Sequence, residues 1–252
     1  MKVVYHEDYN RVYTSDPAAS SGRIRVIEEA LRGRVEFVEP EPASKEAILR
    51  LHTPEHLYSV EREGIYGIAA LAAGGAIRAA EIGLSEPCFA LIRPPGHHAS
   101  ANRSWGFCYF NNMAIALEEL KLQGKIERAF ILDFDLHFGD GNVNLLGGKD
   151  YVSILNPAAQ EREAYLKAVE KALAQTDADM IAASAGFDNH IDDWGGLLET
   201  EDYTAMGRMM GEAARRNGGG CFGILEGGYN HSVLGENVLA FVEGLQARWG
   251  QA

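Results

Sequence analysis

The chain has 252 residues, 46% of them hydrophobic, with 36 acidic side chains against 23 basic ones and a formal net charge of −13. A chain of this length buries most of the apolar surface its unfolded form exposes, so its core needs no disulfide or metal staple. The acidic balance argues against nucleic acid as a partner, because backbone binding needs a basic face, and it leans toward a cationic substrate.

No stretch approaches the roughly 18 consecutive apolar residues of a membrane span, so no membrane partner is expected. Cys88, Cys108 and Cys221 are an odd set without CxxC spacing. The opening MKVVYHEDY lacks the apolar core of a signal peptide, and a reducing cytoplasm is the expected location.

In chain order, KVVYH (2–6) reads as a strand, RIRVIEEALRG (23–33) as an amphipathic helix and VEFVE (35–39) as a strand. TPEHLYSVERE (53–63) and GIAALAAGGAIRAAEIG (67–83) are helical, CFALI (88–92) is a strand, and MAIALEELKLQG (113–124) is helical. RAFILDFD (128–135) and YVSIL (151–155) are strands, followed by the helix EREAYLKAVEKALAQ (161–175) and the strand DMIAASA (179–185). The helix EDYTAMGRMMGEAARRNG (201–218), the strand CFGILEGG (221–228) and the helix HSVLGENVLAFVEGLQARW (231–249) complete the chain. Gly33, Gly83, Gly124 and Gly218 stand where a left-handed residue closes a helix. This alternation predicts one α/β domain over residues 1–252, with a mostly parallel sheet covered by helices on both faces.

Ligands of such sheets bind at the carboxyl ends of the strands. The polar clusters stand at those ends: RPPGHHAS after CFALI, DFDLHFGD after RAFIL, GFDNHIDD after MIAASA, and EGGYN after CFGIL. In an extended segment alternate side chains face one way, so Asp133, Asp135 and His137 are expected to project together, their repulsion relieved by a divalent cation. Carboxylates and imidazole suit zinc, iron or manganese, and Asp188 is the natural further protein ligand. His97 and His98, on a stiff turn, read as acid–base machinery, with Asp133 and Asp140 each able to orient one imidazole. Tyr229 could donate to an oxyanion, although a Gly-Gly-Tyr turn alone reads more readily as structural. WGFCYFNN adds Trp105, Phe107, Tyr109 and Phe110 to the rim, with Phe107 and Tyr109 on one side; an aromatic slot there suits a chain of methylenes.

The ordered motifs RPPGHHA, GFCYFNN, LDFDLHFGDG, SAGFDNHIDD and LEGGYN, with LHTPEHL and LAAGGAIRAA before them, resemble the histone deacetylase superfamily, including its acetylpolyamine amidohydrolases. The resemblance implies a three-layer, arginase-like α/β fold and a metal-dependent deacetylase. The substrate it implies is an acetylated small amine or acetyl-lysine. It implies Asp135, His137 and Asp188 as ligands of zinc, with ferrous iron as the alternative. His98, oriented by Asp140, matches the general base and then acid, and His97 with Asp133 its electrostatic partner. Tyr229 matches the residue that polarises the acetyl carbonyl. Phe107 matches one tunnel wall, Gly106 a carbonyl for the substrate amide, and Gly228 a further substrate contact. A structural potassium ion near Asp133, on main-chain oxygens of Asp135 and His137, takes Ser153 as its candidate serine.

Three departures stand out. Phe138 replaces a second histidine and Trp194 a proline, and only NPAAQ (156–160) stands where relatives carry a loop with the second tunnel wall. A wider, shallower pocket is therefore expected, and a homo-oligomer in which a partner subunit supplies the wall fits this pattern. Two rival functions are a two-metal ureohydrolase and an inactive acyl-amine binder. The first lacks a bridging Asp, since that position is Gly139, and has only His190 as a substitute ligand.

Overall fold

All seven apolar runs are strands of one sheet. The computed structural model describes residues 1–247 and 249. β1 (Lys2–Val4), β2 (Glu36–Val38), β3 (Cys88–Ala90), β4 (Ala129–Asp133), β5 (Val152–Leu155), β6 (Met180–Ala185) and β7 (Gly220–Leu225) lie in the order β2-β1-β3-β7-β6-β4-β5. Every pairing is parallel. The expectation of a mostly parallel sheet thus becomes a wholly parallel one among the described residues. β3, β4, β6 and β7 are buried at every residue, while β2 and β5 on the edges are partly exposed. That gradient explains why the central runs are continuously apolar: both of their faces are covered.

The helices are α1 (Arg23–Leu31), α2 (Lys45–Leu49), α3 (Pro54–Arg62), α4 (Tyr66–Gly83), α5 (Asn112–Leu122), α6 (Asp140–Leu146), α7 (Arg162–Gln175), α8 (Thr200–Arg216) and α9 (His231–Gln246). α4 and α5 pack together on one side, and α1, α7, α8 and α9 on the other, giving three layers. α2 and α6 were not expected: at five and seven residues they are too short to display a period. α2 is set by its cap, Ser44 Oγ accepting from Ala47 N at 3.1 Å.

Gly33, Gly124 and Gly218 take positive φ after their helices, as expected, but Gly83 does not. It is the last residue of α4, and a Cβ there would stand 3.0 Å from Cys221 O and 3.1 Å from Phe222 Cβ. Close helix–strand packing, not a left-handed cap, requires that glycine. α9 stops at Gln246, short of the expected 249, and Arg248 lies outside the described residues. No described helix is long and apolar enough to cross a membrane.

The strands whose ends carry the polar clusters are β3, β4, β6 and β7. They are the contiguous block β3-β7-β6-β4 of the sheet. Since the block is parallel, its four carboxyl ends open on one edge, and segments far apart in sequence meet there.

Candidate active site

The sequence repeats one device at two neighbouring ends, a Phe-Asp pair. Phe134 and Phe187 point into the core, both fully buried and 5.7 Å apart between ring centroids, against Phe241 and Tyr203. Extended backbone then turns the next residues, Asp135 and Asp188, to the opposite side. The ladder continues under them, with Phe134 N donating to Ser184 O and Phe187 N to Gly227 O, both at 3.1 Å.

Asp135, His137 and Asp188 present ligand atoms within 4.8 Å of one another. His137 Nδ1 lies 3.2 Å from Asp135 Oδ1 and 3.1 Å from Asp188 Oδ2. Backbone donors orient the carboxylates: His137 N and Gly227 N to Asp135 at 2.9 and 2.8 Å, and Leu136 N to Asp188 at 3.1 Å. Both aspartates are buried, and beyond the 3.1 Å approach of His137 Nδ1, which makes no well-directed hydrogen bond, Asp188 Oδ2 has no partner. Burial, then the Asp135 charge, pushes the Asp188 carboxyl up to about 6. Burial works in the same direction on Asp135, but the His97 charge and hydrogen bonds from His137 and Gly227 hold it well below the carboxylate range. The two carboxylates beside it, Asp135 foremost, lift His137 to about 10. Two crowded buried carboxylates and an imidazole, with one oxygen orphaned, are a donor set that fits a divalent cation.

Asp133 does not join them, contrary to simple alternation. β4 ends at Asp133, and its carboxylate lies behind the cluster, 3.3 Å from His97 Nδ1 and 2.9 Å from its donor Asn142 Nδ2. His97 Nε2 lies 3.8 Å from Asp135 Oδ1. Burial opposes charge on His97, yet Asp135 and Asp133 outweigh it and raise its pKa well above the usual value. His98 stacks on His97 at 3.9 Å, and its Nδ1 lies 2.8 Å from Asp140 Oδ1. Burial, then the His97 charge, lowers His98 to about 4. The twin histidines are therefore driven apart, one toward the cation and one toward the neutral base.

A cavity of about 290 Å³ adjoins the cluster, lined by His97, His98, His137, Phe107, Gly227 and Tyr229, together with Trp105 and Trp194. Tyr229 stacks on Trp194 at 4.0 Å and meets Phe107 edge-on at 5.9 Å. Burial foremost, then Asp135, raises its hydroxyl far above the usual range, so it stays a donor. Tyr109 and Phe110 do not reach the cavity; they pack in a separate apolar cluster. Gly106 and Phe107 both have positive φ, 57° and 67°, and that turn breaks the alternation expected to put Phe107 and Tyr109 on one side. A Cβ on Gly106 would run into the His98 ring. The Gly106 carbonyl lies 3.5 Å from the Cys108 thiol.

Two further expectations need correction. Gly228 is not among the residues that line the cavity, where Gly227 stands instead, and its carbonyl accepts from Arg23 Nε at 2.7 Å. Ser153 is exposed on β5 opposite Phe130, because the register carries it three residues short of Asp133. The serine opposite Asp133 is Ser184 on β6, with Asn142 Nδ2 donating to both side chains, at 2.9 and 3.0 Å. Residues 157–160 line a separate groove with Leu136 and Gly195, so the shortened segment contributes no wall to the cavity. His190 is occupied elsewhere, accepting from Asp192 N at 3.1 Å and stacking on Tyr203.

Sequence reasoning missed Glu226 and Arg23. Glu226 Oε2 accepts from Gly96 N and His97 N at 2.7 and 3.2 Å, tying the turn after β3 to the turn after β7. Arg23, fully buried, clamps the carbonyls of Glu226 and Gly228 at 2.6 and 2.7 Å. A charged residue directly after the apolar run GIL was a readable signal for Glu226; an arginine opening an amphipathic helix was none for Arg23.

A family model described as Histone deacetylase domain matches residues 61–157 and 152–245. A probable deacetylase of Archaeoglobus fulgidus is 32% identical, the match covering 90% of this chain and 81% of that protein. A histone deacetylase-like amidohydrolase of Pseudomonas aeruginosa is 28% identical over 85% of this chain and 72% of its own. Among solved structures, the HD domain of HDA15 is similar in fold, with a TM-score of 0.84 at 24% identity, covering 98% of this chain and 90% of that one.

Proposed function

This chain belongs to the histone deacetylase family, and from that premise we propose that it hydrolyses the amide of an acetylated amine to acetate and free amine, using one divalent metal ion. The observation that carries the reading is the cluster Asp135, His137 and Asp188 beside a cavity lined by His97, His98 and Tyr229. Those three side chains would hold zinc, or ferrous iron in its stead. Such an ion supplies Lewis acidity toward the amide carbonyl and the attacking water. His98 has its Nδ1 committed to Asp140, which leaves Nε2 to take a proton from that water and return it to the leaving amine. The Tyr229 hydroxyl, held protonated, donates to the oxyanion as it forms. His97, kept cationic between Asp133 and Asp135, adds positive charge to the site and holds His98 neutral. Phe107 and Trp194 flank the slot in which a methylene linker would lie, and the Gly106 carbonyl is the acceptor assigned to the substrate amide. An acetylpolyamine, cationic beyond its acetyl group, suits the net charge of −13.

A two-metal ureohydrolase is disfavoured by packing: a side chain at Gly139 would collide with the Asp133 carboxylate, so a bridging aspartate has no room there. The test is turnover of acetylpolyamines and acetyl-lysine peptides by zinc-loaded protein with bound metal counted. One ion per chain, activity lost to a chelator and in His98→Ala, is the expected result. Absence of turnover with every acetylated amine, or two ions per chain, overturns the reading.

A further inference from the structure

We propose that Trp105 is a positioning residue for the His98–Asp140 pair, fixing on which nitrogen His98 carries its proton. Trp105 covers the His98 ring, with centroids 3.8 Å apart and planes 31° from parallel. Its indole Nε1 donates to both oxygens of Asp140, at 3.1 and 3.0 Å, and the first of these also faces His98 Nδ1 at 2.8 Å.

The chemistry of the three groups leaves one arrangement. An indole nitrogen is only ever a donor, so Asp140 must be the acceptor toward Trp105. Hydrogen bonds from Trp105 and His98 outweigh burial and hold the carboxyl below its ordinary range. An ionised carboxylate cannot donate, so a neutral His98 must carry its proton on Nδ1 and keep a lone pair on Nε2. The backbone is bent to achieve this. Gly106 and Phe107 take φ of 57° and 67° in succession, a conformation unfavourable for phenylalanine that persists only where its surroundings impose it. The turn, closed by Cys108 N donating to Trp105 O at 3.0 Å, sends Trp105 over His98 and Phe107 toward Tyr229.

The catalytic consequence rests on the deacetylase reading, whereas the tautomer does not. Trp105 is 52% exposed, so replacing it leaves the core untouched. The experiment records two-bond proton–nitrogen correlations of the histidine rings in zinc-loaded, 15N-labelled protein, with His98 identified by its loss in His98→Gln. The wild type is expected to show His98 protonated on Nδ1 alone. In Trp105→Phe, which keeps a ring but no N–H, Asp140 loses the donor that holds its carboxylate against His98 Nδ1. With Asp140 free to swing away the two nitrogens should average, and kcat should fall about tenfold with a smaller change in KM. In Asp140→Asn the amide must offer its oxygen to Trp105 and its NH2 to His98, so the proton should move to Nε2; adding Trp105→Phe should abolish that preference. A pure Nδ1–H signature in Trp105→Phe overturns the inference, with or without a loss of kcat, since Trp105 would then act by packing alone. Tautomers that respond as expected in a protein without turnover sink the deacetylase reading and leave this assignment standing.

Discussion

Glu226 and Tyr229, three residues apart, both hold their protons more tightly than usual because they are buried, with different consequences. Burial, foremost, raises Glu226 from 4.5 to about 7, with Oε1 unpaired. A folded value above the unfolded one means that the folded state binds the proton more tightly. Its contribution to stability is therefore complete below about pH 4.5 and is lost as pH rises through 7, with a slope of up to about 1.4 kcal/mol per pH unit. Denaturant midpoints taken from pH 5 to 8 should fall more steeply in the wild type than in Glu226→Gln; parallel curves would contradict the shift. Tyr229 is raised too, but what matters there is a retained donor. Tyr229→Phe keeps the stack on Trp194 and should lower kcat about a hundred- to a thousandfold, read in steady-state turnover.

At the scale of elements, the paired Phe-Asp segments join stability to function. Phe134 is fully buried among Phe187, Tyr203 and Phe241, and Asp135 depends on it for direction. Phe134→Ala should cost about 3–5 kcal/mol in urea unfolding and weaken zinc binding in the same protein. Strands and long helices were legible because their periods of two and 3.6 run over enough residues to be seen. α2 and α6 were not, because one or two turns carry no period and depend on caps and neighbours. Alternation likewise held for Asp135 beyond Phe134 and failed at Phe107, where consecutive residues of positive φ reset the direction of the chain.

For the whole molecule, the strand order decides what can meet. β3, β7, β6 and β4 are neighbours although residues 88 and 220 begin two of them, and the candidate metal ligands come from two of their ends. A ligand that binds only the folded chain stabilises it by about 2.7 kcal/mol at a hundredfold excess over Kd. Zinc should therefore raise the Tm of the wild type and leave that of Asp188→Asn unmoved, as scanning calorimetry would register. The cavity wall is also a tertiary product: Trp194, 53% exposed, lines it while residues 157–160 lie elsewhere. Trp194→Ala should raise KM about tenfold for linkers of several methylenes, at ~0.8 kcal/mol per methylene uncovered, and change it little for short acetamides; linker-series kinetics decide this.

By itself the sequence determined the parallel sheet and which strand ends bear carboxylates and imidazoles, because apolar runs and polar clusters are local patterns. Their order along the chain also carried the family resemblance. Only the tertiary structure decided which groups touch: Ser184 and not Ser153 beside Asp133, Gly227 and not Gly228 in the cavity, Arg23 and Glu226 behind it, Trp105 over His98. Those choices depend on strand register and on contacts between residues up to 205 positions apart, where the backbone turns between them set direction and no local pattern records it.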